Sequence, residues 1–185
     1  MKKNNVHVFI DASNLWAVQK AKGKMFDLAK LKIYLKTLYD ADEIKIYYYD
    51  AFPEQATREY DTSGKFRFYV YLEKALTFIV RKKPLKQIRV ETDHGTVVEE
   101  KGNMDVELAI DVVNQVSNYD IAVFFTGDSD FLALIRFIHS RGKKAYVYSS
   151  RNTVSCELRT GSDGYTDILS IADDIWRDKV RHRAQ

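Results

Sequence analysis

The feature that most restricts how this chain can fold is a run of five apolar residues, Ile121-Ala122-Val123-Phe124-Phe125, followed at once by Thr126-Gly127-Asp128-Ser129-Asp130. A strand that is apolar at every position has no solvent-facing side, so it belongs at the centre of a sheet covered on both faces. That is the situation of strands in parallel sheets with crossover helices. The rest of the chain alternates in the same sense. Val6 to Ile10 reads as a buried strand ending at Asp11, and Ile44 to Tyr49, β-branched and aromatic, as a second. Leu28, Leu31, Leu35 and Leu38 recur at helical spacing and predict a helix over roughly Asp27 to Tyr39. Tyr69, Leu72, Leu76 and Ile79 predict another that stops before Pro84. Gln87 to Thr92 reads as a third strand, with a turn at His94-Gly95 into Thr96 to Glu99. Helices follow over Met104 to Val116 and from Phe131 through Ile138 to Gly142, and Lys144 to Tyr148 closes as a strand. The expectation is an α/β domain: three layers, α/β/α, around a central, mostly parallel sheet.

A chain of 185 residues without repeats or Pro/Gly/Ser-rich linkers reads as one domain over 1–185, with a core of about 6–174 and a basic C-terminal tail bearing Arg177, Lys179, Arg181 and Arg183. A net charge of +3 is too small to argue for a polyanionic partner by itself. The single cysteine, Cys156, excludes an internal disulfide and offers no zinc-ligand spacing, which fits a reducing, cytoplasmic setting. No apolar stretch reaches the length of a signal peptide core or a membrane span, so no membrane is expected as partner.

Parallel sheets carry their sites beyond the carboxyl ends of the strands. Asp11 follows the first strand directly, Asp128 and Asp130 follow the central one, and Asp105 shares a helical face with Leu108, Ala109 and Val112 that should look toward the sheet. Each acid has an ordinary reading alone: Asp11 and Asp130 as helix N-caps, Asp105 as a first-turn acid. Four carboxylates at one sheet edge repel one another, and a hard divalent cation relieves that repulsion. Mg²⁺ or Mn²⁺ takes carboxylate oxygens and leaves positions for phosphate oxygens, which points to metal-assisted phosphodiester hydrolysis. The histidines His7, His94, His139 and His182 are scattered, so no pair is placed to deprotonate a ribose 2′-hydroxyl.

Three ordered segments resemble the successive motifs of the NYN-domain family, its LabA-like branch, within the PIN-like nuclease superfamily. They are Val8-Phe9-Ile10-Asp11-Ala12-Ser13-Asn14-Leu15, then Lys101-Gly102-Asn103-Met104-Asp105-Val106-Glu107-Leu108-Ala109, then Thr126-Gly127-Asp128-Ser129-Asp130-Phe131. The resemblance implies a PIN-like fold and Mg²⁺- or Mn²⁺-dependent cleavage or processing of RNA. It places Asp11, Asp105, Asp128 and Asp130 at the acidic metal and catalytic positions, with Ser13, Asn14, Thr126 and Ser129 as flanking substrate-side residues. Asp111 matches a further recurrent acid, although its spacing turns it from the buried face. Ala12 stands where glycine is common and Thr126 where serine is common. The stretch Val90 to Glu100 and the chain after Leu158 match poorly.

RNA, single-stranded rather than duplex, is the expected partner, held through Lys101 beside the Asp105 motif and through Arg81, Lys82 and Lys83. Tyr47-Tyr48-Tyr49 reads either as a stacking surface or as alternation in a buried strand. A DNA-directed nuclease, a catalytically silent RNA-binding relative and self-association into a homo-oligomer stay open at this stage.

Overall fold

The computed structural model describes residues 3–57, 59, 61–92, 95–171 and 173–178. His94, His182 and the tail cations Lys179, Arg181 and Arg183 lie outside the described residues.

Six strands form the main sheet: β1 (Asn4–Asp11), β3 (Ala41–Phe52), β4 (Ile79–Pro84), β7 (Ile121–Phe125), β8 (Lys144–Ser149) and β9 (Gly164–Asp167). Their spatial order is β4-β3-β1-β7-β8-β9, and every neighbouring pair is parallel. The chain therefore steps outward from β1 to β4 on one side and from β7 to β9 on the other. β1 and β7 flank the point where the winding reverses. A crevice opens at such a point beyond the carboxyl ends of the two strands, since the connecting helices leave on opposite faces.

Side chains alternate across each strand, and the two faces carry two separate cores. Val8, Ile10, Ile46, Tyr48, Val123 and Phe125 pack under α1 (Ala12–Lys22), α2 (Leu28–Leu38) and α3 (Ser63–Lys74). Phe9, Tyr47, Tyr49, Ala122, Phe124 and Val147 pack under α4 (Asp105–Asn114), α5 (Leu132–Ser140) and α6 (Cys156–Gly161). The result is the expected three-layer α/β/α arrangement. Tyr47, Tyr48 and Tyr49 are 3%, 7% and 1% exposed, so they are core rather than an open stacking surface. Two small ribbons complete the fold: β2 (Lys24–Phe26) with β10 (Trp176–Asp178), and the hairpin β5 (Lys86–Thr92) with β6 (Gly95–Lys101).

Two expectations are corrected, and one helix is added. The helix expected through Ile79 ends at Lys74, capped at Ala75, and Thr77 takes a positive φ of 59° that a helix cannot continue through. Ile79–Pro84 is instead edge strand β4, whose basic residues suit an edge and whose last residue is the proline. The strand expected at Gln87 to Thr92 exists, but it pairs only with β6 and stands outside the main sheet. Helix α1 has no strong apolar period to announce it. Its buried residues are Ala12, Leu15, Val18 and Gln19, while Trp16 is 54% exposed. It is set by its ends, an Asp11 N-cap and Gly23 at φ 72°. Among the described residues, no helix is long and apolar enough to cross a membrane.

Candidate active site

Asp11 is the last residue of β1 and the N-cap of α1. Its Oδ1 accepts the Ser13 backbone N–H at 2.9 Å and the Ser13 hydroxyl at 2.7 Å. Ser13 is thus committed to the cap. Across the reversal point, Asp128 performs the same task for the short turn Ser129–Phe131, its Oδ1 accepting the Asp130 N–H at 2.9 Å. The cap is Asp128 and not Asp130, which stands exposed one step further on. Both caps use only Oδ1 in these bonds, and Oδ2 of Asp128 has no hydrogen-bond partner among the described residues.

The loop holding Asp128 is fixed from beneath. Thr126 is fully buried, and its hydroxyl accepts the Asp128 N–H at 3.3 Å, so it shapes the loop rather than facing a substrate. Gly127 has no room for a side chain: a Cβ there would meet the Thr153 carbonyl oxygen at 2.6 Å and Ser149 Oγ at 2.7 Å. Ser149, at the end of β8, also donates to the Asn14 amide oxygen at 3.3 Å, which ties α1 to the same floor. Ser129 is exposed at the rim.

Asp105 opens α4, where the backbone N–H groups favour negative charge, and the Asn103 amide donates to it at 2.5 Å. Burial is the main reason its carboxyl rises above the usual range, and the charges of Asp11, Asp128 and Asp130 push the same way, against Lys83. Burial also pushes Asp11 up, with the Asp128 charge adding to it, while hydrogen bonds from Ser13 and Asn14 pull back. Asp105 therefore feels the other three predicted acids across the crevice, and Asp11 feels Asp128. They do not converge to a point: among the described residues, no three His, Cys, Asp or Glu side chains form a group able to enclose a metal ion. The reason is visible in the caps, since Asp11 and Asp128 are each turned back toward their own helical start and Asp105 toward Asn103.

A fifth acid was not singled out from the sequence. Asp50, near the end of β3, is half-buried beside Asp11; it accepts the Tyr69 hydroxyl at 2.8 Å and pairs with Lys65 at 3.1 Å. Burial, chiefly, and the Asp11 charge raise its carboxyl, while Lys65 and Tyr69 lower it.

The expected basic contacts divide. Arg81 is engaged with Asp111, Nε to Oδ2 at 2.9 Å and Nη2 to Oδ1 at 3.2 Å, and Asp111 also accepts the Tyr49 hydroxyl. This pair ties β4 to α4, so Asp111 and Arg81 are each engaged with the other away from the caps of Asp11 and Asp128. Lys82 lies over the Tyr69 ring, 5.0 Å from its centroid. Lys83 pairs with Glu107 at 2.7 Å, and Lys101 with Glu99 at 3.2 Å. Lys83, Lys86 and Lys101 nevertheless share the walls of one open cleft of about 460 Å³ with Asn103, the residue that holds Asp105. His7 is 1% exposed inside β1, its imidazole drawn down to about 4, first by burial and then by Lys45, and is no acid-base group for this crevice.

The sequence motifs imply an α/β/α sandwich of this kind, and the comparisons agree on family and fold. The sequence model of the NYN domain matches residues 5–169, and the chain belongs to that family, a PIN-like nuclease family. It is 28% identical over 174 residues to the low amplitude and bright protein LabA of Synechococcus elongatus, covering 94% of this chain and 89% of the relative. An uncharacterized protein of Methanocaldococcus jannaschii is 32% identical over 82 residues, 43% of this chain and 33% of the relative. The crystal structure of a protein of unknown function from Vibrio parahaemolyticus has the same fold. It superposes with a TM-score of 0.70 at 22% identity, over 96% of this chain and all of the other.

Proposed function

We propose that this chain is a divalent-cation-dependent nuclease that hydrolyses single-stranded RNA, with Asp11, Asp105, Asp128 and Asp130 as the catalytic and metal-holding acids. The observation that carries the reading is the strain on Asp105 and Asp11 at the reversal point of the sheet, both raised first by burial and then by neighbouring aspartates. Partly buried carboxylates raised by neighbouring negative charge are costly in a ligand-free protein and favourable beside a cation. The donor set fits Mg²⁺ or Mn²⁺: it is all oxygen, and Mg²⁺ is commonly held by one or two carboxylates, with water and substrate phosphate filling the other positions. When bound, such a cation supplies neutralisation of phosphate charge and acidification of water.

The protein's own groups do the rest. Asp11 and Asp128 present carboxylate oxygens from opposite sides of the crevice, fixed by their caps. Asp105, held by Asn103, stands where it can orient a water toward phosphorus, and Asn14 and Ser129 line the approach. Lys83, Lys86 and Lys101 lead the phosphate chain toward Asp105. Attack of water forms a P–O bond, the 3′-oxygen leaves with a proton, and the products carry a 5′-phosphate and a 3′-hydroxyl.

Purified protein incubated with end-labelled single-stranded and duplex RNA and DNA, with Mn²⁺, Mg²⁺ or EDTA, tests this reading. Metal-dependent cleavage of single-stranded RNA that falls by orders of magnitude in Asp11→Asn and Asp128→Asn supports it. Products bearing 2′,3′-cyclic phosphate, or full activity in EDTA, refute the mechanism. Preferential cleavage of DNA would reassign the substrate. That no three-carboxylate enclosure forms among the described residues favours a second reading, an RNA-binding relative without turnover, and binding without cleavage under either metal would select it.

A further inference from the structure

Next to the crevice, between α1, α3 and the end of β3, lies a cavity of about 480 Å³, within the range of small-molecule sites. Ser13, which caps Asp11, forms part of its wall, so the cavity opens beside the acids. Its lining includes Trp16, Gln19, Tyr48, Asp50, Lys65 and Phe68. Two of these present polar atoms to the cavity. Tyr48 is 7% exposed, and its hydroxyl has no hydrogen-bond partner among the described residues. Gln19 is also 7% exposed; its Oε1 accepts the Phe26 N–H at 2.8 Å, and its amide nitrogen has no partner among the described residues. The buried side-chain atoms left without any partner among the described residues lie on His7, Glu107 and Trp176, so the Tyr48 hydroxyl and the Gln19 amide nitrogen reach the open space of the cavity and are free to hydrogen-bond an occupant there. Trp16 is the complementary oddity, a large aromatic side chain left 54% exposed at the same cavity.

We propose that this cavity receives a nucleobase of the bound strand, the one adjoining the phosphate at the aspartates, with Trp16 stacking on its face and the Tyr48 hydroxyl and Gln19 amide reading its edge. The inference rests on the proposed nuclease function and adds a site to it. The chemistry selects this class of occupant. A lipid chain would leave the hydroxyl, the amide and the Asp50–Lys65 pair unsatisfied. A bare phosphate would meet an aromatic wall and a lysine already paired with Asp50 at 3.1 Å. A base offers a π-face for the tryptophan and donors and acceptors for the polar wall. Turning a base into the cavity costs least when the strand is not paired, so the site also favours single strands over duplex.

The test measures binding by the full chain in EDTA, where no metal-dependent cleavage intervenes. Labelled single-stranded RNA octamers are compared with octamers of the same sugar–phosphate chain lacking bases and with free nucleoside monophosphates. The expected result is at least tenfold weaker binding without bases. Trp16→Ala should lose a similar factor for intact octamers and nothing for base-less ones. Tyr48→Phe, which removes a hydroxyl with no hydrogen-bond partner among the described residues, should melt no lower than wild type and change the ranking among A, C, G and U homo-octamers. Monophosphates that quench wild-type tryptophan fluorescence, but not that of Trp16→Ala, would show that the site also takes an isolated nucleotide. Equal affinity for intact and base-less octamers, or indifference of intact octamers to Trp16→Ala, overturns the proposal, even if free nucleotides bind. Such a failure leaves metal-dependent cleavage standing as a separate measurement. Base-dependent binding by a protein that cleaves nothing would remove the nuclease reading and keep the site.

Discussion

Replacing Asp11 by Asn separates the two duties of that residue. As an N-cap, asparagine is about as good as aspartate, so the bonds to the Ser13 N–H and hydroxyl survive in kind and the cap loses at most a few tenths of a kcal/mol. As a charge, the carboxylate is destabilising in the metal-free protein. Its folded-state pKa is raised by burial and by Asp128, so the folded state holds this proton more tightly than the unfolded chain does. The penalty is absent at low pH, sets in as pH rises above the ordinary value of 3.8, and is complete once pH exceeds the folded value. At pH 7 the Asn variant should therefore melt at or above the wild-type temperature in EDTA. With Mn²⁺ or Mg²⁺ at about a hundred times its dissociation constant, the wild type should gain about 2.7 kcal/mol. At roughly 2–4 °C per kcal/mol for a domain of this size, that is a rise of about 5–11 °C, which the variant should largely forgo. Asp11→Ala serves as the control, since it removes the same charge but also the cap, worth about 1 kcal/mol, and should melt below Asp11→Asn in EDTA. Melting curves followed by circular dichroism decide the matter. A wild type indifferent to millimolar divalent cation, or an Asn variant that gains as much as wild type, would refute the reasoning.

Gly127→Ala should cost about 1–3 kcal/mol in urea unfolding and slow any metal-dependent cleavage, because its Cβ drives the Asp128 loop off Thr153 and Ser149; a variant as stable as wild type would show that the floor yields freely. His7 has its folded pKa lowered to about 4 by burial, so stability is complete above the unfolded value of 6.5 and is lost as pH falls toward 4, by about 3 kcal/mol from this residue. His7→Leu should flatten the stability profile across that window relative to wild type, and parallel profiles would refute the assignment.

What the sequence made visible, and what it hid, follows from how each element is stabilised. Strands buried on both faces advertise themselves through unbroken apolar runs, so Val6 to Ile10 and Ile121 to Phe125 could be placed without knowing the fold. Asp11 and Asp128 could be read as site acids because each ends such a run and starts a helical segment. Helix α1 escaped because its packing face is small and interrupted, leaving the caps to define it. Ile79–Pro84 was misread because Leu76 and Ile79 fall by chance at helical spacing from Tyr69 and Leu72, and the strand's own polarity reflects its place at the sheet edge.

Asp50 shows a different limit. It lies beside Asp11 on the neighbouring strand, in the region where strand-end acids gather, yet it ends no apolar run and caps nothing. β3 continues through Asp50 to Phe52 because β4 pairs there, Asp50 opposite Lys82 and Phe52 opposite Pro84. The strand-end signal is thereby erased at the position where the carboxylate matters. Tyr48 is the same lesson in reverse. Alternation correctly marks it as buried, but a period of two says nothing about whether a buried hydroxyl has a partner. Whether it does depends on α1, α3 and β3 leaving space between them, which is a property of packing across distant segments. Sequence reasoning of this kind finds acids that terminate elements and overlooks polar groups within them. The candidate base site, built from the middle of α1 and the body of β3, belongs to the second kind.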